Sequence, residues 1–247
     1  NISIVGTGYV GLVAGACFAE LGNKVICVDN NRPKIELLKK GGIPIYEPGL
    51  EELVKKNAAA KRLSFSTDLK AAVKASEIVF IAVGTPPKPN GEADLSFVEG
   101  VAREIAAAID KYTIVVEKST VPVETGDKVG RTITDAGIEQ KLFDVVSNPE
   151  FLREGSAIED FMKPDRIVIG TNSEKARKAM EKLYAPLKAE MVFTDIRSAE
   201  IIKHASNSFL ATKISFINAV SRICELSGAD VEKVALGMGL DKRIGKQ

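Results

Sequence analysis

The 247-residue sequence lacks the features that mark several large classes of protein. No apolar run approaches the roughly 20 residues of a membrane span, and the opening residues "NISIVGTG" predict a strand and a turn, not a signal peptide. The 34 Lys+Arg nearly balance the 33 Asp+Glu, so a net charge of +1 provides no field that favours nucleic acid or an anionic membrane. We therefore expect neither nucleic acid nor a membrane among its partners.

Cysteine and histidine are also scarce. Cys17, Cys27 and Cys224 form no CxxC pair, and their odd number fits a reducing cytoplasm. His204 is the only histidine, which weakens the case for a histidine metal site or a Ser-His-Asp triad. No metal site is predicted, and the sequence shows no internal repeat and no low-complexity tract. These absences favour a cytoplasmic globular protein of ordinary composition.

Short apolar runs alternate with helical patterns over most of the chain. Strands are predicted at 2–5, 24–29, 62–66, 77–83, 112–119, 142–147, 165–170 and 190–194. Helices between them are predicted at 10–21, 32–40, 68–75, 97–109 and about 124–136, with one more between the last two strands. Ser96 and Glu99 have the spacing of a capping box. Because the strands are almost continuously apolar, they predict a doubly wound α/β domain with a mostly parallel sheet covered on both faces.

The pattern changes after Thr194, because residues 196 to about 227 contain neither proline nor glycine. A helix over these residues would be about 48 Å long at 1.5 Å per residue. Such a helix is too long to cover one sheet layer, and we interpret it as a spine that leads out of the first domain. A shorter helix is predicted at 230–238. The predicted organisation is a Rossmann-like domain over 1–195 and a helical region over 196–247.

A GxGxxG motif, "GTGYVG", follows the first strand and opens the first helix. The first glycine of such a motif makes the tight turn, the second lets the backbone approach a pyrophosphate, and the third lets helix and strand pack closely. Free N–H groups at the helix N-terminus would then face the phosphates. The residues predicted to contact the cofactor here are Gly6, Gly8, Tyr9, Val10 and Gly11.

Four further residues are predicted to line the dinucleotide site. Asp29 ends the second strand, where its carboxylate would bind the ribose hydroxyls and repel a 2′-phosphate, so NAD is predicted in preference to NADP. Lys34 would lie near the adenine, although a lone helical lysine is more often solvated. Thr85 and Thr120 follow two other strands and would project into the crevice at the carboxyl edge of the sheet. Single threonines in such loops otherwise serve as cap or turn hydroxyls.

Two polar patterns lie outside the glycine-rich motif. The stretch "SNPEFLREG" (147–155) follows a predicted buried strand and places two carboxylates and an arginine where α/β proteins bind ligands. Taken alone, a turn with a surface ion pair is the commoner explanation. Lys203 and Asn207 share one face of the long helix and could donate to a developing oxyanion. A polar helix stripe of this kind is, by itself, more often solvated.

These motifs together resemble the UDP-glucose 6-dehydrogenases of the UDP-glucose/GDP-mannose dehydrogenase family. The matching stretches are "GTGYVGL" (6–12), "VGTPPKPNGEADL" (83–95), "EKSTVP" (117–122), "NPEFLREG" (148–155) and "AEIIKHASNSFLATKISFIN" (199–218). They occur in the family's order over nearly the whole chain, and "EKSTVP" and "TPPKPNG" favour the UDP-glucose branch. A GDP-mannose or other sugar-nucleotide 6-dehydrogenase, and a dinucleotide-binding module without catalysis, remain alternatives.

The resemblance implies that UDP-glucose is oxidised to UDP-glucuronate by two successive hydride transfers to NAD, through a cysteine thiohemiacetal and a thioester. It implies catalytic roles for Thr120, Glu150, Lys203 and Asn207. It also implies that Glu154 reaches the nicotinamide side and that the long helix over 196–227 forms a homodimer. The substrate contacts that it implies are Glu150, Phe151, Leu152, Arg153, Glu154, Lys203 and Asn207.

The chain departs from the family pattern in two places. Ala219 stands where the family usually has an acid, which affects a local helix contact only. The nucleophile motif, similar to "GGSCFPKD", is not among the 247 residues, and the resemblance places it soon after Gln247 together with a C-terminal substrate domain. The three cysteines present are better explained as buried packing residues. A chain of these residues alone is expected to bind NAD without completing the oxidation.

Overall fold

The computed structural model describes residues 1–245. Their eight strands form one sheet in the order β3-β2-β1-β4-β5-β6-β7-β8. The strands are β1 (Ile2–Val5), β2 (Val25–Val28), β3 (Leu63–Ser66), β4 (Ile78–Ile81), β5 (Thr113–Glu117), β6 (Phe143–Ser147), β7 (Ile167–Gly170) and β8 (Met191–Thr194). All neighbours are parallel except β6 and β7, which pair antiparallel at Ser147 and Gly170. The predicted doubly wound, mostly parallel fold is confirmed, and all eight predicted strands are present.

Ten α-helices connect and flank the strands of this region. They are α1 (Tyr9–Glu20), α2 (Arg32–Lys39), α3 (Leu50–Ala59), α4 (Leu69–Ala75), α5 (Ser96–Ala106), α6 (Thr125–Asp135), α7 (Ala157–Met162), α8 (Glu174–Tyr184), α9 (Ile196–Ser227) and α10 (Val231–Gly239). Helices α3 and α7 were not predicted. Helix α7 has only six residues and no side-chain cap, so its sequence carries little periodic signal.

The predicted capping box at the start of α5 is wrong. The cap position is Leu95, which has no side-chain cap bond. The oxygen Oδ1 of Asp94 instead accepts a hydrogen bond from the backbone N–H of Ser96 at 2.9 Å. Glu99, the expected partner of Ser96, extends to Lys128 on α6, with 2.5 Å between Oε1 and Nζ. Asp94 therefore satisfies the free backbone N–H of Ser96, and Glu99 forms an ion pair between α5 and α6.

Two apolar layers cover the faces of the sheet. On one face the ring of Phe18 on α1 packs against Phe80 and Phe161, with ring centroids 5.2 and 5.0 Å apart. On the other face Ile105 and Phe143 are fully buried. Both faces of the parallel strands are therefore removed from water, which explains their continuously apolar sequences.

The chain divides into two compact units, residues 1–203 and the residues from His204 onward. The first unit contains the sheet, helices α1–α8 and the start of α9. The second contains the rest of α9, with α10 after it, and many of its large apolar side chains are exposed. Those on α9 are Phe209, Leu210, Ile214, Phe216, Ile223 and Leu226. The predicted domain boundary between residues 195 and 196 stays a prediction. Within residues 1–245, no helix is both long enough and apolar enough to cross a bilayer.

Candidate functional site

The glycine-rich turn after β1 has the geometry of a phosphate-binding turn. Gly6 has φ +102°, and a Cβ there would lie 2.4 Å from the carbonyl oxygen of Ala82. A Cβ on Gly11 would lie 2.0 Å from the carbonyl oxygen of Gly6, whereas a Cβ on Gly8 would meet no atom within 4 Å. Gly8 is the N-cap of α1 and makes no side-chain cap bond, so no side chain of the cap residue occupies this helix end. The turn therefore leaves room for a pyrophosphate at this helix end.

Asp29 follows β2 and is held by four hydrogen bonds. Its Oδ2 accepts from the backbone N–H of Thr7 at 2.9 Å, the hydroxyl of Thr7 at 2.7 Å and the ammonium of Lys34 at 3.0 Å. Its Oδ1 accepts from the backbone N–H of Asn31 at 2.9 Å. Burial raises the pKa of Asp29, but the hydrogen bonds from Thr7, Asn31 and Lys34 outweigh it and hold the pKa below its usual value. A fixed anion thus stands beside the glycine-rich turn, and Lys34 contacts it directly.

The loops after β4 and β5 are joined to each other by two hydroxyl groups. The hydroxyl of Thr85 donates to the carbonyl oxygen of Thr120 at 2.9 Å. The hydroxyl of Ser119 donates to the carbonyl oxygen of Val83 at 2.8 Å. Thr85 and Thr120 are both half-buried at the carboxyl edge of the sheet, as predicted from the strand ends. Their cofactor contacts stay a prediction.

Glu150 and Lys203 form a buried ion pair. The Oε1 atom of Glu150 accepts from Nζ of Lys203 at 2.9 Å, and the side chains are only 12% and 7% exposed. The Oε2 atom of Glu150 accepts from the backbone N–H of Leu152 at 2.6 Å. Nζ of Lys203 also lies 5.3 Å from the ring centroid of Phe151. Two predicted catalytic residues, 53 positions apart in sequence, are therefore brought into direct contact.

A second buried lysine, which the sequence analysis missed, lies close to this pair. Nζ of Lys118 donates to Oδ1 of Asn148 at 3.1 Å and to its carbonyl oxygen at 3.3 Å. Burial lowers the pKa of Lys118 to about 8; the charge of Glu150 opposes this change and that of Lys203 adds to it. The cluster therefore concentrates cationic groups at the end of β5, a setting that favours negative charge on a bound ligand.

Two buried glutamates, also missed, lie at the base of the same loops. Oε1 of Glu117 accepts from the backbone N–H of Ser119 at 2.7 Å, and Oε2 is the one buried side-chain polar atom without a partner in residues 1–245. The pKa of Glu117 is raised to about 8, chiefly by burial and to a smaller extent by the charge of Glu200, while the hydrogen bonds from Ser119 oppose the change. Glu200 accepts from the backbone N–H groups of Glu124 and Gly126, both at 2.8 Å, at the start of α6. This raised pKa favours the protonated form of Glu117 at neutral pH.

The remaining residues of the predicted substrate segment have different environments. Nη2 of Arg153 pairs with Oδ1 of Asp160 at 2.6 Å, and its backbone N–H donates to Oδ2 of Asp160 at 2.8 Å. The guanidinium of Arg166 lies 3.8 Å from the ring centroid of Phe151. Glu154 is exposed. The substrate roles of Phe151, Leu152, Arg153 and Glu154 stay predictions.

The predicted substrate segment is anchored by Glu47, which no sequence pattern indicated. This carboxylate is 3% exposed and accepts from the backbone N–H groups of Gly155 at 2.8 Å and Ala157 at 2.9 Å. It also accepts from the hydroxyl of Tyr9 in the glycine-rich turn. Burial raises the pKa of Glu47, but its hydrogen bonds, beginning with that of Tyr9, outweigh burial and hold the pKa below its usual value.

Other groups contribute less to the site. Asn207 is an exposed residue of α9 in the second unit, and His204 is half-buried. Burial raises the pKa values of Cys17 and Cys27 to about 12, so neither is a reactive thiolate. The described residues contain no group of three His, Cys, Asp or Glu placed to hold a metal ion. A groove of about 850 Å³ between α6 and the loop after β7 is lined by none of the predicted site residues.

Comparison with known proteins identifies the family to which this chain belongs. Residues 1–188 match the NAD binding domain of the UDP-glucose/GDP-mannose dehydrogenase family, and residues 197–247 match the central domain of that family. The chain belongs to this family. The resemblance drawn from the motifs is confirmed, and NAD is the cofactor of the matched domain.

Individual relatives agree with the family match. The chain is 55% identical over 247 residues to UDP-glucose 6-dehydrogenase from Bacillus subtilis, covering 100% of the chain and 54% of that protein. A UDP-glucose dehydrogenase structure from Pyrobaculum islandicum has a TM-score of 0.96 and 46% identity, covering 100% of the chain and 58% of its own. A GDP-mannose dehydrogenase structure from Pseudomonas aeruginosa has a TM-score of 0.95 and 40% identity, covering 97% of the chain and 56% of its own. The chain thus spans a little over half the length of these relatives.

Proposed function

We propose that this chain supplies the NAD site and part of the substrate site of a UDP-glucose 6-dehydrogenase, which oxidises UDP-glucose to UDP-glucuronate. The buried Glu150–Lys203 pair carries the proposal, because it lies on the same edge of the sheet as the glycine-rich turn. The five neighbouring strands β2-β1-β4-β5-β6 run parallel, so the loops that follow them share one edge. A dinucleotide and a second ligand can therefore meet there.

The proposed chemistry assigns different tasks to the two charged groups. Each oxidation transfers one hydride from the substrate carbon to NAD and releases one proton, so two NAD molecules accept the four electrons. The ammonium of Lys203 stabilises negative charge that develops on the substrate oxygen. Glu150 orients or deprotonates the water that hydrolyses the thioester, and Thr120 holds a water near the reacting carbon. The donor role of Asn207 is part of the same proposal.

The thioester step needs a thiolate within reach of the substrate carbon. Cys17 and Cys27 are fully buried in the core, and Cys224 is 5% exposed. We therefore assign the nucleophile to the part of the relatives' length that this chain does not span. That part also supplies, in this proposal, most of the contacts that select the nucleotide base.

A GDP-mannose 6-dehydrogenase is the second candidate, because the structure of that enzyme superposes on the chain with a TM-score of 0.95. The higher identity to UDP-glucose 6-dehydrogenases, 55% against 40%, favours UDP-glucose. Retention of the buried Glu150–Lys203 pair argues against a module that only binds a dinucleotide, since such a module has no use for it. Three free cysteines support a cytoplasmic location, and the exposed apolar side chains of α9 support a homodimer.

The deciding experiment uses the chain extended through the rest of the relatives' length. NADH is measured with UDP-glucose and with GDP-mannose as substrates. We expect two NADH per UDP-glucose and at least tenfold lower kcat/KM with GDP-mannose, a difference of about 1.4 kcal/mol. Faster turnover of GDP-mannose supports the second candidate, and NAD binding without turnover of either sugar contradicts both.

A further inference from the structure

We propose that Glu47 is a positioning residue that fixes the segment 150–155 to the hydroxyl of Tyr9, so that the substrate segment and the dinucleotide turn keep one relative placement. This inference rests on the proposed function for the roles of the two sites. Glu47 touches neither the cofactor nor the substrate in this proposal. It acts on the substrate through the backbone of the segment that it holds.

The contacts of Glu47 join three parts of the chain that are distant in sequence. Its Oε2 accepts from the backbone N–H of Gly155 at 2.8 Å and from the hydroxyl of Tyr9. Its Oε1 accepts from the backbone N–H of Ala157 at 2.9 Å. A carboxylate that is 3% exposed needs these donors, because burial takes it out of contact with the solvent. Removal of any one donor therefore loosens the junction.

The segment 150–155 is held at both of its ends. At the first end Glu150 pairs with Lys203 at 2.9 Å. At the second end Gly155 has φ +89°, a left-handed conformation that lets the chain reverse before α7. Glu47 accepts hydrogen bonds from the backbone N–H groups of Gly155 and Ala157, at the start and the end of this reversal. The side chains of Phe151 and Leu152 are thus presented from a backbone anchored on both sides.

Tyr9 contributes to both sites through different atoms. Its backbone lies at the first turn of α1, where the turn at Gly6 and Gly8 leaves room for a pyrophosphate. Its hydroxyl points to Glu47 and lies 3.2 Å from the backbone nitrogen of Gly155. Burial and the hydrogen bond to Glu47 raise the pKa of Tyr9, so the phenol keeps its proton and remains a donor. Loss of the hydroxyl should therefore affect the substrate segment while the cofactor keeps its backbone contacts.

The first test measures hydrogen exchange in residues 1–247 without ligand, in Glu47→Gln and Tyr9→Phe. Glutamine has one acceptor oxygen and one NH2 group, so it can accept from only one of the N–H groups of Gly155 and Ala157, and the other bond is lost. Matched controls are Glu51→Gln, an exposed residue of α3, and Tyr46→Phe, which is 87% exposed. We expect at least tenfold faster exchange at the amides of 155–157 in both variants, and no change at β1 or in the controls. Unchanged exchange at 155–157 would overturn the inference, whatever the enzyme does.

The second test uses the extended chain and compares KM, kcat and NAD affinity. For Tyr9→Phe we expect KM for UDP-glucose to rise about tenfold, with the dissociation constant of NAD and kcat changed less than twofold. If KM, kcat and NAD affinity all worsen equally, Glu47 and Tyr9 have a structural role and the positioning role is overturned. The same conclusion follows if both variants only have a lower melting temperature. If the unchanged enzyme shows no activity with any UDP-sugar, the proposed function fails, and the exchange experiment still decides whether Glu47 holds the segment.

Discussion

Nζ of Lys203 lies 2.9 Å from Oε1 of Glu150, and neither side chain is more than 12% exposed. A buried ion pair is costly to assemble, and removal of one partner leaves the other charge without compensation. Lys118 adds a second ammonium group beside the pair. Together the two lysines exceed the single carboxylate in charge, so the cluster is suited to an anionic oxygen that arrives with the substrate.

Lys203→Ala should lower kcat of the extended enzyme by about 100-fold or more, as the loss of one oxyanion donor does in other enzymes. NAD affinity should change little, because the glycine-rich turn and Asp29 follow β1 and β2, whereas Lys203 lies on α9. Steady-state kinetics and calorimetry measure the two effects. Lys178→Ala, at a side chain that is 73% exposed, is the control. Near-normal turnover in Lys203→Ala would show that the ion pair is structural only.

Asp29→Asn should reduce the preference for NAD over NADP. The substitution keeps one acceptor oxygen, for the N–H group of either Thr7 or Asn31, and removes the negative charge that would repel a 2′-phosphate. Calorimetric titration of residues 1–247 with both cofactors gives the ratio of the dissociation constants. Glu36→Gln, at an exposed position on α2, controls for a general loss of negative charge. A wild-type chain that binds both cofactors equally would contradict the prediction at once.

The strand pattern made most of the fold predictable, because burial on both faces leaves continuous apolar runs such as those of β4 and β5. The glycine-rich turn could also be located, since close backbone contacts demand glycine at Gly6 and Gly11. Glu47 could not be identified in this way. Its backbone donors lie 108 and 110 residues away and Tyr9 lies 38 residues away, so no local sequence spacing indicates contacts that only the folded chain creates.

Lys118 and Glu117 show the same limit at the end of β5. Their sequence context predicts a strand end, where charged residues are usually solvated. In the folded chain they are 4% and 1% exposed. Their altered pKa values arise mainly from burial, and the nearby charges of Glu150, Glu200 and Lys203 come from distant parts of the sequence. The family resemblance located Glu150 and Lys203, whereas the residue pattern alone favoured a solvated turn and a solvated helix stripe.

Glu117→Gln should make stability less dependent on pH. The pKa of Glu117 is raised to about 8 in the folded state, so the folded chain binds the proton more tightly than the unfolded chain does. Its contribution is therefore fully present below the unfolded pKa, near 4.3, and is lost as the pH rises toward 8. Urea unfolding of residues 1–247 between pH 5 and 8 should show a steeper loss for the wild type than for the variant. Parallel curves would mean that Glu117 is already ionised when folded.

Residues 1–247 should form a homodimer through α9. Ile214 and Phe216 are 63% and 55% exposed, and they belong to an apolar set that runs along the helix. Exposed apolar surface of this extent normally marks an interface. Light scattering should give twice the chain mass, and Ile214→Asp should give the monomer mass, whereas Ser215→Asp, the exposed neighbouring position, should leave the dimer intact. A monomer at high concentration in the unchanged chain would count against the prediction.

A chain of residues 1–247 should bind NAD but should not oxidise UDP-glucose to the acid. The second oxidation needs an accessible thiolate, and burial raises the pKa values of Cys17 and Cys27 to about 12. A Cβ on Gly15 would lie 2.4 Å from Sγ of Cys27, which shows how closely helix α1 covers that thiol. Cys224 is the remaining cysteine and is 5% exposed.

The assay follows NADH after addition of UDP-glucose to this chain, with Cys224→Ser as the matched variant. We expect no NADH beyond the background from either protein, together with NAD binding that calorimetry detects in both. The extended enzyme, measured beside them, should release two NADH per sugar. If residues 1–247 release two NADH per sugar and Cys224→Ser abolishes this activity, the nucleophile is Cys224. That result would contradict the prediction that this chain is inactive.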